Sequence, residues 1–183
     1  NVTYIPALSS LLNAFPPTPV RTWLASFPAA ASLGPDVLKA ATDPQRMAAD
    51  IKYWQRQGAD PLQVLAVPAT FAAAGVSMAF GTGSGLPLVF HGLGTATEIF
   101  HLQQAGLSSA QILQMSQHSR QLLGRQPARL RRGDPADVLL LDGDPWSNPI
   151  NLAHPAQSYL GGVAALPCAT RRAPPCALRN CNT

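Results

Sequence analysis

Few residues in this chain could do chemistry, and most of those lie close together in sequence. Gly81-Thr82-Gly83-Ser84-Gly85 is followed by His91, Thr97, Glu98 and His101. Glu98 is the one glutamate of the chain, and the four histidines are His91, His101, His118 and His154. Ser84 as a nucleophile would need a base such as His91 and an acid partner such as Asp137. The flanking glycines of a nucleophile elbow are missing, because the local run is Thr82-Gly83-Ser84-Gly85-Leu86. The alternating glycines could cradle a phosphate, yet neither a P-loop lysine nor Rossmann spacing follows them. A catalytic zinc needs about three side-chain ligands and an open position. No His-x-His occurs and no histidine has carboxylates at ligand spacing, so this chain is expected to bind no metal. His91, just past the glycine turn, and Ser84 within it remain as candidate substrate contacts. His101 and His118 fall in helical stretches and read as surface or satisfied core residues. His154, before Pro155, reads as part of a connection.

The elements that would position these residues can be read from periodicity and punctuation. Val2-Thr3-Tyr4-Ile5-Pro6 predicts a short strand stopped by proline, which cannot donate to a ladder. Residues 8–15 read as a short helical or irregular segment, broken by Pro16, Pro17 and Pro19. Residues 23–33 are apolar and alanine-rich. Asp43-Pro44 predicts a helix with an N-cap and proline at its first position, with Met47, Ile51 and Trp54 on its apolar side. Residues 61–74 predict a second helix, closed by Gly75. A strand is expected over 76–80, then a loop over 81–94. Helices follow over 95–105 and 108–123, the second opened by a capping box of Ser108 and Gln111 and ended by Gly124. Residues 136–141 predict a buried strand between two Gly-Asp-Pro turns, and 157–160 predict a last strand before Gly161-Gly162. No internal repeat is present.

An apolar run ending in a Gly/Thr/Ser turn is how a barrel strand opens into a catalytic mouth. From about residue 75 to 162 the chain resembles the C-terminal portion of the amidohydrolase superfamily, the metal-dependent hydrolases of the imidazolonepropionase and prolidase type. Gly81-Thr82-Gly83-Ser84-Gly85 is similar to the family's Gly-Thr-Asp-Ser-Gly segment at barrel strand eight. Thr97-Glu98-Ile99 with Ala105-Gly106-Leu107-Ser108 resembles its Glu-Leu and Ala-Gly-Leu-Ser helix pair. The run from Gly133-Asp134-Pro135 to Asp142-Gly143-Asp144-Pro145 resembles its return strand, and Val2-Thr3-Tyr4-Ile5-Pro6 resembles strand seven more weakly. The resemblance implies an α/β fold: a C-terminal fragment of a TIM-type (β/α) barrel with return strands of a small composite β-sandwich. Residues 1–130 would hold the last two β/α units, 131–162 the return strands, and 163–183 a disordered tail. It also implies hydrolysis of amide or cyclic-amide C–N bonds of a small molecule or dipeptide. The family does this with a water activated on a divalent metal, zinc or similar.

The resemblance carries its own contradiction. In the family, the middle residue of the strand-eight segment is an aspartate that binds metal and handles the proton of the attacking water; here it is Gly83. The family's other ligands lie on strands that precede everything matched here. The chain is therefore expected to be inactive by itself. Gly83 reads equally as the mark of a decayed or truncated relative, as a sequence artefact, or as a relaxed turn in a non-catalytic role. The alternative to an enzyme is an interaction or assembly protein. An incomplete barrel exposes strand edges, so an oligomer or a partner chain covering them is expected.

Composition bounds the remaining classes. With 183 residues and 46% hydrophobic content the chain can bury a core and is not wholly disordered. Of 13 basic residues only Lys39 and Lys52 are lysines, and the arginines gather at 125–132 and near the end without interleaved aromatics. A solvated basic edge, rather than nucleic-acid binding, is expected from a net charge of +4. No run reaches the roughly 18 apolar residues of a membrane span. The three cysteines, Cys168, Cys176 and Cys181, have neither zinc nor redox spacing and read as free thiols of the tail. Asn1 in place of methionine suggests a processed start or a piece of a longer chain.

Overall fold

A computed structural model describes residues 2–15, Trp23 and 33–165. Its fold is α/β in the coarse sense, with helices and strands mixed along the chain. Strand β1 (Thr3–Tyr4) pairs in parallel with β2 (Ser77–Met78), Thr3 against Ser77 and Tyr4 against Met78. A parallel pair needs a long crossover. Here the crossover contains the short helix α1 (Ser9–Leu12), then α2 (Pro35–Thr42), α3 (Pro44–Arg56) and α4 (Pro61–Ala73). Helices α5 (Leu93–Gln104) and α6 (Ser109–Leu122) follow β2.

Local chemistry explains where these helices start and stop. Asp43 accepts from Gln45 N at 2.9 Å and Asp60 accepts from Leu62 N at 2.9 Å, each satisfying a backbone donor of the first turn. Pro44 and Pro61 occupy first-turn positions, where a missing N–H costs nothing. At the start of α6, Ser108 and Gln111 form the expected capping box. Helix α5 closes by a Schellman pattern, Gly106 N to Gln103 O at 3.0 Å and Leu107 N to Leu102 O at 3.1 Å. The same paired bonds end α4 at Gly75 and α6 at Gly124. Helix α4 continues through Pro68, which is buried.

The main core gathers Leu8 and Leu12 of the α1 region, Met78 of β2, Ile99 and Leu102 of α5, and Ile112 and Met115 of α6. Tyr4 and Phe71 meet edge to face at 4.7 Å between ring centroids, tying β1 to α4. A smaller cluster joins Ala41 of α2 to Leu88, Leu93 and Ala96, with Trp23 and Phe90 against it. Beyond α6 a separate antiparallel sheet forms in the order β3 (Val138–Leu141), β4 (Pro155–Leu160), β5 (Val163–Ala165). A 3-10 turn, Pro149–Ala153, connects its first two strands and packs on α5.

Several expectations need correction. The strand expected over 76–80 contains only Ser77–Met78, because Phe80 N turns aside to Met115 O and the Ser119 hydroxyl. The loop expected through 94 ends earlier, with α5 beginning at Leu93. Residues 136–141 are not a buried strand: in β3 Leu139 and Leu140 are half exposed, because nothing among the described residues covers them fully. Residues 163–165, expected in the tail, form β5 against β4 instead. Helix α2 had no counterpart in the sequence reading. The Cys168, Cys176 and Cys181 expectation lies outside the described residues.

Candidate functional site

Because β1 and β2 run parallel, both chains leave them at the same end, and their exit loops meet there. Ala79 N donates to Tyr4 O at 3.0 Å, which extends the contact one residue beyond the strands. Gly81 lies so close to Ile5 that an added Cβ would sit 2.7 Å from the Ile5 Cγ2 atom. Gly83 has φ +65, a left-handed conformation in which glycine carries no steric penalty. A Cβ there would meet the Ser10 Cβ at 3.2 Å and Leu86 Cδ1 at 3.4 Å. Gly83 thus stands where the two exits converge, at an exposed turn facing α1.

Below this turn lies a chain of buried polar side chains: Glu98, Ser9, Thr97, Asn13 and His101. The Glu98 carboxylate accepts from Leu8 N at 2.9 Å, from Ser9 N at 2.7 Å and from the Ser9 hydroxyl at 2.8 Å. A helix residue after β2 therefore caps the helix after β1. Thr97 Oγ1 lies 3.2 Å from Ser9 Oγ and 3.2 Å from Gly94 O. Asn13 Nδ2 donates to Leu88 O at 2.9 Å and contacts Thr97 Oγ1 at 3.3 Å. Its Oδ1 is left to accept, and His101 Nε2 sits 2.9 Å away, so the imidazole carries its proton on Nε2.

This network holds two strained backbone positions. Among the described residues, Ala7 (φ 45) and Leu88 (φ 62) are the non-glycine residues with positive φ, and they sit one in each exit loop. Glu98 fixes Leu8 and Ser9 directly after Ala7, while Asn13 fixes the Leu88 carbonyl. Electrostatics follow from the burial. Glu98 is pushed above its usual range by burial, opposed by the Ser9 and Leu8 hydrogen bonds. Tyr4 is raised by its own burial and by the Glu98 charge. Burial lowers His101 from 6.5 to about 4, so it is neutral at ordinary pH.

The candidate residues fall into different places. Ser84 is partly exposed and its hydroxyl engages Thr82 Oγ1 at 2.7 Å. His91 is exposed at the far end of the loop. No hydrogen bond joins Ser84 to a histidine among the described residues, and Asp137 accepts from Gly161 N at 2.7 Å in the side sheet. The Ser84–His91–Asp137 arrangement is therefore not assembled. His118 donates from Nδ1 to Met78 O at 2.8 Å and His101 is satisfied by Asn13, as expected of core histidines. Gly83 offers no side-chain ligand, and among the described residues no group of three His, Cys, Asp or Glu side chains converges as a catalytic metal would need. Sequence reasoning missed Ser9 and Asn13. The one available signal was Glu98 itself, a sole glutamate in an apolar helix. No helix among the described residues is long and apolar enough to cross a membrane.

Comparison of the chain with protein-family models, curated proteins and solved structures returns no match.

Proposed function

We propose that this chain forms the closing β/α units of an amidohydrolase-type barrel, with the Gly81–Gly85 turn at its mouth, and that it has no hydrolytic activity alone. The observation that supports this reading is the parallel pairing of Thr3–Tyr4 with Ser77–Met78, locked by Glu98 across the two exits. Adjacent parallel strands whose following loops converge are what the last two units of such a barrel require. Strands β3 and β4, which fall within residues 131–162, support the side-sandwich part of this reading, and β5 extends their sheet beyond it. On this reading the activity of the complete scaffold is hydrolysis of amide or cyclic-amide C–N bonds in small molecules. The chain supplies wall and loop but neither a metal ligand at Gly83 nor a general base. The test is hydrolysis of dipeptide and cyclic-amide panels with added zinc or manganese. No turnover is expected from the chain or from Gly83→Asp, since one carboxylate does not make a three-ligand site. Turnover by either protein that a chelator abolishes would overturn the reading.

A non-catalytic assembly role is a second reading, favoured by one feature of the side sheet. No residue of β3, β4 or β5 is fully buried, and Leu160 and Val163 are each 71% exposed. Such surfaces gain by being covered. Light scattering on the eluting peak of a sizing column separates the readings: a stable, compact monomer would remove the assembly role.

A further inference from the structure

The cleft between α3 and the mouth loop sets one carboxylate, Asp50, among apolar and aromatic side chains. Its floor and sides are Ala14, Leu86, Pro87 and Leu88; the α3 side supplies Asp50, Tyr53 and Trp54. The space measures about 250 Å³, and it adjoins a wider lobe of about 520 Å³ that shares Asp50 and residues 86–88. The smaller lobe has room for a ligand of roughly ten non-hydrogen atoms. Asp50 is half buried and forms no hydrogen bond or ion pair with any described residue. The Tyr53 and Trp54 rings stand edge to face at 5.2 Å beside it, on consecutive residues of the helix.

A cation in the cleft would lie against the Asp50 carboxylate and gain from the adjacent aromatic faces. Apolar walls on the opposite side favour a hydrophobic body joined to that cation. We propose that this cleft binds small organic amines, a protonated amino group on an apolar body, with Asp50 as the countercharge and Trp54 as the aromatic wall. Gly83 borders the same space through Ser10 and Leu86, so a bound amine lies beside the mouth turn. The site does not depend on the hydrolytic reading, because it is defined by α3 and the loop and requires no metal. The preference for a cation also runs against the chain's net charge of +4, which by itself would attract anions.

The experiment titrates the full 183-residue chain with three probes of matched shape: phenethylamine, 2-phenylethanol and phenylacetate. The readout is the indole N–H resonance of Trp54, assigned by its loss in Trp54→Phe. Phenethylamine is expected to bind about tenfold more tightly than 2-phenylethanol, and phenylacetate more weakly still. In Asp50→Asn the amine should fall to within about threefold of the alcohol, while the alcohol itself is unaffected. Because Asp50 forms no hydrogen bond or ion pair with a described residue, this variant is expected to keep the fold, and unchanged dispersion of the other indole resonances verifies it. Equal affinities for the three probes, or an unaltered amine preference in Asp50→Asn, would overturn the proposal. So would the absence of any Trp54 shift with phenethylamine up to about 20 mM, a concentration well above millimolar affinity.

Discussion

His101 should make the folded state acid-labile, and the size of the effect follows from its burial. In the folded chain the imidazole takes up a proton only near pH 4; its ordinary value is 6.5. Between those values the unfolded chain binds more protons, so stability falls as pH falls through that window. The loss is negligible at pH 7 and grows to about 1 kcal/mol at pH 5.5 and about 2–3 kcal/mol at pH 4.5. Burial is the reason: it disfavours the charge of the imidazolium form, while the Nε2–H bond to Asn13 Oδ1 at 2.9 Å is made in either protonation state. Glu98 acts in the opposite sense. Its pKa lies above 4.5 in the folded chain, so between 4.5 and that raised value the folded state holds the extra proton and gains as pH falls. The wild-type curve therefore mixes two slopes, and a difference measurement is needed. His101→Gln keeps a donor toward Asn13 but cannot titrate. Urea unfolding of both proteins at pH 7, 5.5 and 4.5 gives the stability difference at each pH. The wild type should lose about 1 kcal/mol relative to the variant by pH 5.5 and about 2 kcal/mol by pH 4.5. Curves that stay parallel within about 0.3 kcal/mol would refute the assignment of His101 as a buried, neutral histidine.

The remaining predictions concern the mouth and the helix ends. Glu98→Ala leaves Leu8 N, Ser9 N and the Ser9 hydroxyl without their acceptor, and should cost about 3–5 kcal/mol in denaturant unfolding. A loss under about 1 kcal/mol would mean that the carboxylate does not join the two exits. Ala7→Gly relieves a positive φ at a non-glycine residue and should leave stability unchanged or raise it by about 0.5 kcal/mol, whereas Ala48→Gly in exposed α3 should lower it by about 1. Thermal melts of the two variants decide the sign. Ser108→Ala removes the α6 capping box and should cost about 1 kcal/mol, read from urea midpoints. Gly143→Ala should exceed that cost, because the new Cβ overlaps the Asn151 side chain that donates to Asp144 O. A Gly143→Ala protein as stable as wild type would contradict that packing.

Local chemistry in the sequence is enough to place most of the helices. Asp43-Pro44, Asp60-Pro61 and Ser108 with Gln111 mark helix starts, and Gly75, Gly106 and Gly124 mark ends, because caps satisfy backbone groups within a few residues of themselves. The glycine turn was legible for the same reason. Burial was not: 136–141 reads as a continuous apolar run, yet whether Leu139 and Leu140 are covered depends on what packs above them, and nothing among the described residues does so fully. The strand over 76–80 was overestimated because its length is set by distant partners, Met115 O and Ser119 Oγ. The site shows the same division. Gly83, Ser84 and His91 attract notice by residue type, but the molecule's polar chemistry is concentrated elsewhere, in contacts spanning some 84 to 90 residues of sequence. The sequence alone determined that Glu98 needs partners, since a carboxylate in an apolar helix is unstable without donors. Only the tertiary structure decided that those partners are Leu8 and Ser9, because parallel pairing of β1 with β2 brings their exits to one end. It likewise placed Asp50, unremarkable in sequence, beside that mouth with no ion pair to any described residue.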